Sequence, residues 1–193
     1  SMDILGLVKK NRSNRKYKES EPVYKQQLKG FVNAARFTAS SVNLQPLRYL
    51  LSNEQKTNQK IFAHTKWARL LKNYDGPEIG ERPSAYVVVV QDKKVAENTQ
   101  RFLVDVGIVS QTILLAAVEA GLGGIMIRNF VAEDLARDLE LEDRYVPMMI
   151  LAIGVPDEEI ILEEIEEGCS TAYYRDEKNI HHVPKRRLDD ILL

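Results

Sequence analysis

The chain reads as one α+β domain, with a sheet in the middle of the sequence covered by helices on both faces. Three observations carry that reading. Segments with apolar residues at helical spacing outnumber segments with strand character. The strand-like segments lie in the middle of the chain, between helical flanks. The clearest of them, Ala85-Tyr86-Val87-Val88-Val89-Val90, has no polar alternation, so both of its faces need a cover.

The elements follow in order. Residues 3–10 predict a short amphipathic helix carrying Ile4, Leu5, Leu7 and Val8. Glu21-Pro22 signals a second helix over 23–37, with Leu28, Phe31, Val32 and Ala35 in phase. Residues 38–46 read as a loop, and 47–51 as a short apolar strand. An irregular helix is expected over 53–71, ended by the turn residues Tyr74-Asp75-Gly76-Pro77. After the 85–90 strand, Asn98 or Thr99 caps a helix running to about residue 120. Its apolar residues cover nearly every face, so it is expected to be central and buried, and Gly121 stops it. A strand over 122–127, a helix over 129–139 and a long strand over 146–155 complete the series. Beyond Pro156, residues 157–167 read as a solvated acidic surface, 170–183 show no period, and 185–193 suit a terminal helix.

Bulk properties exclude several classes. The 193 residues carry 27 Lys plus Arg against 28 Asp plus Glu, a net charge of −1. That balance offers no general field for nucleic acid or an anionic membrane, so any anion site has to be local. Cys169 stands alone, which forbids an internal disulfide and fits a reducing, cytoplasmic setting. The start shows no basic segment followed by an apolar one, so no signal peptide is expected, and Ser1 before Met2 resembles a residue left by expression. The longest unbroken apolar run, residues 113–118, is too short for a bilayer span. His64 looks isolated, and His181-His182 lack a partner at ligand spacing, so no metal site is expected. Cys169 has no evident base beside it.

Four segments are candidates for chemistry. In Asn11-Arg12-Ser13-Asn14-Arg15-Lys16-Tyr17, the guanidinium forks of Arg12 and Arg15 with the Ser13 hydroxyl suit a phosphate monoester, or else form a solvated basic loop. In Ser40-Ser41-Val42-Asn43-Leu44-Gln45-Pro46, the donors Ser40, Ser41, Asn43 and Gln45 suit the polar edge of a planar heterocycle, or else make an ordinary turn. Pro46 is expected to hold Gln45 extended. Gly121, Gly123 and Gly124 do not complete a dinucleotide fingerprint and read as a helix cap with a tight strand entry rather than a phosphate loop. Lys185-Arg186-Arg187 is a basic cluster or a solvated end.

The first two motifs, in this order near the N-terminus, resemble the FMN-dependent nitroreductase family over residues 4–155, with a weaker match at Lys185 and Arg187. Asn11 stands where the family commonly has arginine, and Leu47 where an aromatic is usual. The resemblance implies one FMN-binding domain over residues 1–193, with a mostly antiparallel sheet, and a homodimer with FMN sites at the interface. Residues 157–193 would complete the site or the dimer. Arg12, Ser13, Arg15, Lys185 and Arg187 would hold the phosphate. Ser40, Ser41, Asn43 and Gln45 would reach the ring, partly across the dimer, while Gly123, Gly124, Ile125 and Met126 lie against it and Lys66 near it. Glycine there is expected to let backbone N–H groups approach the ring. The implied activity is a ping-pong transfer of hydride from NAD(P)H through the flavin to a nitroaromatic, quinone or similar small acceptor, with no catalytic side chain. Alternatives are dehalogenation or flavin fragmentation on the same fold, or a non-enzymatic flavin-binding sensor or scaffold.

Overall fold

The computed structural model describes residues 2–68 and 70–193. Ser1 and Arg69, the latter within the expected 53–71 helix, lie outside the described residues. The elements are α1 (Ile4–Lys10), α2 (Lys25–Ala35), β1 (Leu47–Ser52), α3 (Gln55–Ala63), β2 (Ala85–Asp92), α4 (Leu103–Glu119), β3 (Gly123–Ile127), α5 (Ala132–Asp138), β4 (Tyr145–Gly154), β5 (Ile160–Ile165), β6 (Tyr174–Arg175), β7 (His181–Arg186) and α6 (Leu188–Ile191).

Four strands form an antiparallel sheet in the order β1-β2-β4-β3. The unbroken apolar run of β2 is explained by its two covers. Val87 and Val89 pack with Leu28 and Phe31 of α2 and with Val109 and Ile113 of α4. Tyr86, Val88 and Val90 turn the other way and meet Ile61 of α3 and Leu135 of α5. All eight residues of β2 are buried, and each such valine contributes roughly 1.5–3 kcal/mol by leaving water. The structure is therefore α+β, with helices on both sides of the sheet as expected.

Three expectations need correction. First, α4 is not buried all round: Val106, Val109, Ile113 and Ala117 face the sheet, while Val104 is 73% exposed on the outer side with Gly107 and Gln111. With its leading turn, the helix is long and apolar enough to span a bilayer by composition (residues 100–119, mean hydropathy 1.7), although no unbroken run in the sequence suggested it. That hydropathy is used against the sheet and on the open outer face. Second, α3 ends at Ala63, and the described residues of 64–82 form no helix or strand. Third, the acidic stretch after Pro156 is not merely a solvated surface. Its Ile160–Ile165 portion forms β5, which pairs in parallel with β7, and β6 pairs antiparallel with β7 on the other side. The expected terminal helix shrinks to α6, because residues through Arg186 belong to that second sheet.

Candidate functional site

The basic segment 11–17 is an extended strap laid beside β3. The Asn14 N–H donates to the Gly124 carbonyl at 3.0 Å, and the Tyr17 hydroxyl donates to the Asn14 carbonyl at 2.7 Å. The Tyr74 hydroxyl donates to the Arg15 carbonyl at 2.9 Å, and the Arg15 N–H donates to Glu158 Oε1 at 2.6 Å. Burial of Glu158 pushes its carboxyl above the usual range, against the lowering effect of the Arg15 N–H and the Arg175 guanidinium. These ties hold the backbone so that three side chains face one cavity of about 460 Å³, within the range of small-ligand sites.

Arg12, Ser13, Arg15, Gly124 and Lys185 line this cavity together with Leu114, Met126, Tyr173 and His181. Arg12, Arg15 and Lys185 make no side-chain ion pair among the described residues. In a chain with a net charge of −1, three unpaired cations on one cavity select an anion. Arg12 is the more committed of the arginines. Its Nε donates to the Asn11 carbonyl at 2.7 Å and its Nη2 to the Val8 carbonyl at 3.1 Å, which satisfies the C-terminal end of α1. Asn11 joins α4 to the strap by accepting from Gln111 Nε2 at 2.8 Å.

Lys185 reaches the cavity through strand phase. His181, Val183 and Lys185 alternate onto one face of β7 and all three line it. Arg187 does not join them. The strand ends at Arg186, Arg187 becomes the N-cap of α6, and its Nε donates to Asp190 at 2.8 Å. Ile125 also points away: it packs in the cluster of Ile61 and Leu135, while its neighbours Gly124 and Met126 face the cavity. Lys66 is exposed and outside the lining.

Gly123 and Gly124 have a packing reason to be glycine. A Cβ on Gly123 would come within 2.3 Å of Asn14 Oδ1, and one on Gly124 within 2.4 Å of the Ala152 carbonyl oxygen and 2.7 Å of Leu114. Close packing of strap, β3 and β4 demands them. The positive φ belongs to Gly121, at 83°, where α4 ends.

The loop residues Ser40, Ser41, Asn43 and Gln45 lie apart from the cation cavity, and Ser40 and Gln45 line a smaller one of about 180 Å³. Asp105 of α4 organises them. It accepts from the Ser40 hydroxyl and, at 3.1 Å, from the Ser41 N–H, while the Gln45 N–H donates to Ser40 Oγ at 3.1 Å. Gln45 Nε2 donates to the Asn43 carbonyl at 3.0 Å. Gln45 is not extended as Pro46 suggested. It has φ 55°, and Val42 and Asn43 are also left-handed, at 47° and 54°. A β-branched residue in that region is strained.

Sequence reasoning missed His181, Tyr173, Arg175 and Glu158. His181 is 2% exposed. Burial, then Arg15 and Arg175, push its imidazole down to about 4, so it is neutral near pH 7. The two histidines are not partnerless either: His182 lies between Glu163 and Asp176, and His64 bonds Asp138 at 2.6 Å. A separation of 19 residues between His182 and Glu163 hides such a pair from any local motif. Among the described residues no cluster of His, Cys, Asp or Glu suits a metal, and Cys169 is exposed and free.

The model of the nitroreductase family matches residues 8–155. The chain belongs to the nitroreductase family. Among its relatives is a Bacillus subtilis (strain 168) protein provisionally named NAD(P)H nitroreductase YdgI, 26% identical, with 79% of this chain and 88% of that protein covered. An FMN-dependent nitroreductase of Clostridium difficile R20291 is similar in structure, with TM-score 0.62 and 27% identity over 81% of this chain and 89% of that one. A protein of Exiguobacterium sibiricum 255-15, provisionally named a nitroreductase and solved in complex with FMN, shares the fold at TM-score 0.67 and 23% identity, covering 81% and 89%. The family match ends before β5, so Lys185 and His181 reach the cavity from outside the matched residues.

Proposed function

We propose that the chain is an FMN-dependent NAD(P)H oxidoreductase that works as a homodimer in a reducing, cytoplasmic compartment. The observation that carries this reading is the convergence of Arg12, Arg15 and Lys185, none ion-paired among the described residues, on one cavity with the Ser13 hydroxyl. The cavity fits a flavin phosphate on its own evidence. Arg15 Nε and His181 Nδ1 are buried without a hydrogen-bond partner, and buried polar atoms of that kind need an acceptor.

Arg15 binds the phosphate as a fork, Arg12 and Lys185 neutralise its charge, and Ser13 donates to it. Leu114, Met126 and Val183 exclude water beside it. Ser40, Ser41, Asn43 and Gln45 serve the ring edge from the partner protomer, since in their own protomer they sit apart from the cation cavity. Arg187 and Ile125 take indirect parts, the first as a cap and the second in the core. When bound, the flavin supplies hydride exchange, taking a hydride from NAD(P)H and, in a separate ping-pong half-reaction, reducing a nitroaromatic, quinone or similar small acceptor.

The test is the visible spectrum of the purified protein, before and after denaturation, followed by NAD(P)H oxidation with a nitroaromatic. Flavin bands near one FMN per chain and a rate well above that of free FMN are expected. A colourless protein that takes up no added FMN refutes the reading.

A further inference from the structure

Nη1 of Arg15 lies 3.3 Å from His181 Nε2 and donates to the Ser13 carbonyl at 3.2 Å. A guanidinium only donates, so Nε2 must accept and the imidazole proton sits on Nδ1. The Tyr173 ring packs on both groups, 4.8 Å from the Arg15 guanidinium carbon and 5.3 Å from the His181 ring centre. One corner of the Arg15 fork is thereby pinned by two acceptors and covered by an aromatic face. The opposite edge, Nε and Nη2, makes no hydrogen bond among the described residues, and Nε is fully buried. That edge is the one a carboxylate takes elsewhere in this molecule, where Arg144 Nε and Nη2 grip both oxygens of Asp92.

We propose that His181 is a positioning residue, a neutral acceptor that holds Nη1 of Arg15 and turns its free Nε–Nη2 edge toward a phosphate monoester in the cavity. The inference rests on the FMN reading above and deepens it. His181 suits the task because it stays uncharged among cations. Arg15 and Lys185 share the cavity with it, Arg175 and His182 add their charges from outside the lining, and Glu158 is the nearby carboxylate. Protonated, it would lose its lone pair and repel the arginine it holds. The assignment also gives the C-terminal sheet a role: β7 brings the acceptor to an arginine 166 residues away in sequence.

The experiment titrates FMN and riboflavin separately into flavin-stripped protein, reading flavin fluorescence. Riboflavin lacks the phosphate, so it reports general damage to the site. His181→Leu is expected to weaken FMN by about tenfold or more, the order of one hydrogen bond to a charged group, while riboflavin changes less than about twofold. His181→Gln, whose amide oxygen can stand in for Nε2, is expected to restore FMN binding. His181→Asn, polar but too short to reach Nη1, should match leucine and keeps the test open if leucine is not tolerated in the fold. Equal losses of both flavins, unchanged FMN affinity in the leucine and asparagine variants, or no recovery with glutamine would each overturn the proposal. Wild-type protein that binds neither flavin would instead overturn the cofactor reading on which it rests.

Discussion

At the scale of single residues, Gly124 joins fold and site. Its carbonyl anchors the strap through Asn14, and its missing side chain lets β3 sit against the Ala152 carbonyl and Leu114. The nearest obstacle is backbone, which cannot rotate away. Gly124→Ala is therefore expected to destabilise the protein by about 1–3 kcal/mol, the usual cost of overpacking, seen as a lower urea midpoint with an unchanged slope. An unchanged midpoint would mean that β3 has room to spare. The glycines were conspicuous in the sequence, yet their reason was not, because a contact with Ala152 needs the register of β3 on β4. Arg12, Ser13 and Arg15 could be picked out because guanidinium and hydroxyl groups declare an anion site by type alone. His181 could not, since only the phase of β7 separates it from His182.

At the scale of elements, the helices and the central strands were readable because each carries its own period or its own unbroken apolar run. The C-terminal sheet was not. β5 reads Ile-Ile-Leu-Glu-Glu-Ile, with its two glutamates adjacent and no strand alternation, inside an acidic stretch, and β6 has only two residues. Side-chain chemistry reinforces the ladders of β5 and β6 on β7. His182 bonds Glu163 of β5 and Asp176 beyond β6, and the Tyr174 ring stacks on it with centroids 4.7 Å apart. The bond to Asp176 first, and then that to Glu163, raises the His182 pKa above its ordinary value. A raised histidine gives its stabilisation in full below the unfolded pKa of about 6.5 and loses it as pH climbs through the folded value. The melting-temperature gap between wild type and His182→Gln should accordingly be wider at about pH 6 than at about pH 9. An equal gap at both would mean that His182 acts through packing alone. His181 has the opposite sign: its depressed pKa of about 4 costs stability as pH falls below about 6.5.

At the scale of the whole molecule, apolar surface is left where a lone protomer has no use for it. Ile4 and Leu5 of α1 are 66% and 58% exposed, Val104 of α4 is 73% exposed, and Val42 in the strained loop is 74% exposed. α1 packs on α4, so the first three extend one helical surface, and the loop is tied to the same helix through Asp105. A second copy that covers these helices would bury the apolar side chains and bring a Ser40–Gln45 loop toward the cation cavity. Dimerisation and flavin binding then become linked equilibria, each stabilising the other by mass action. Val104→Glu tests this without touching the cavity lining. The variant is expected to sediment as a monomer, because a charge buried in an apolar interface is costly, and to bind FMN much more weakly although Arg12, Ser13, Arg15 and Lys185 are intact. A monomer that keeps full FMN affinity would make each protomer a complete site, and the distance between loop and cavity would then need another explanation. A variant that remains dimeric would move the interface away from α4.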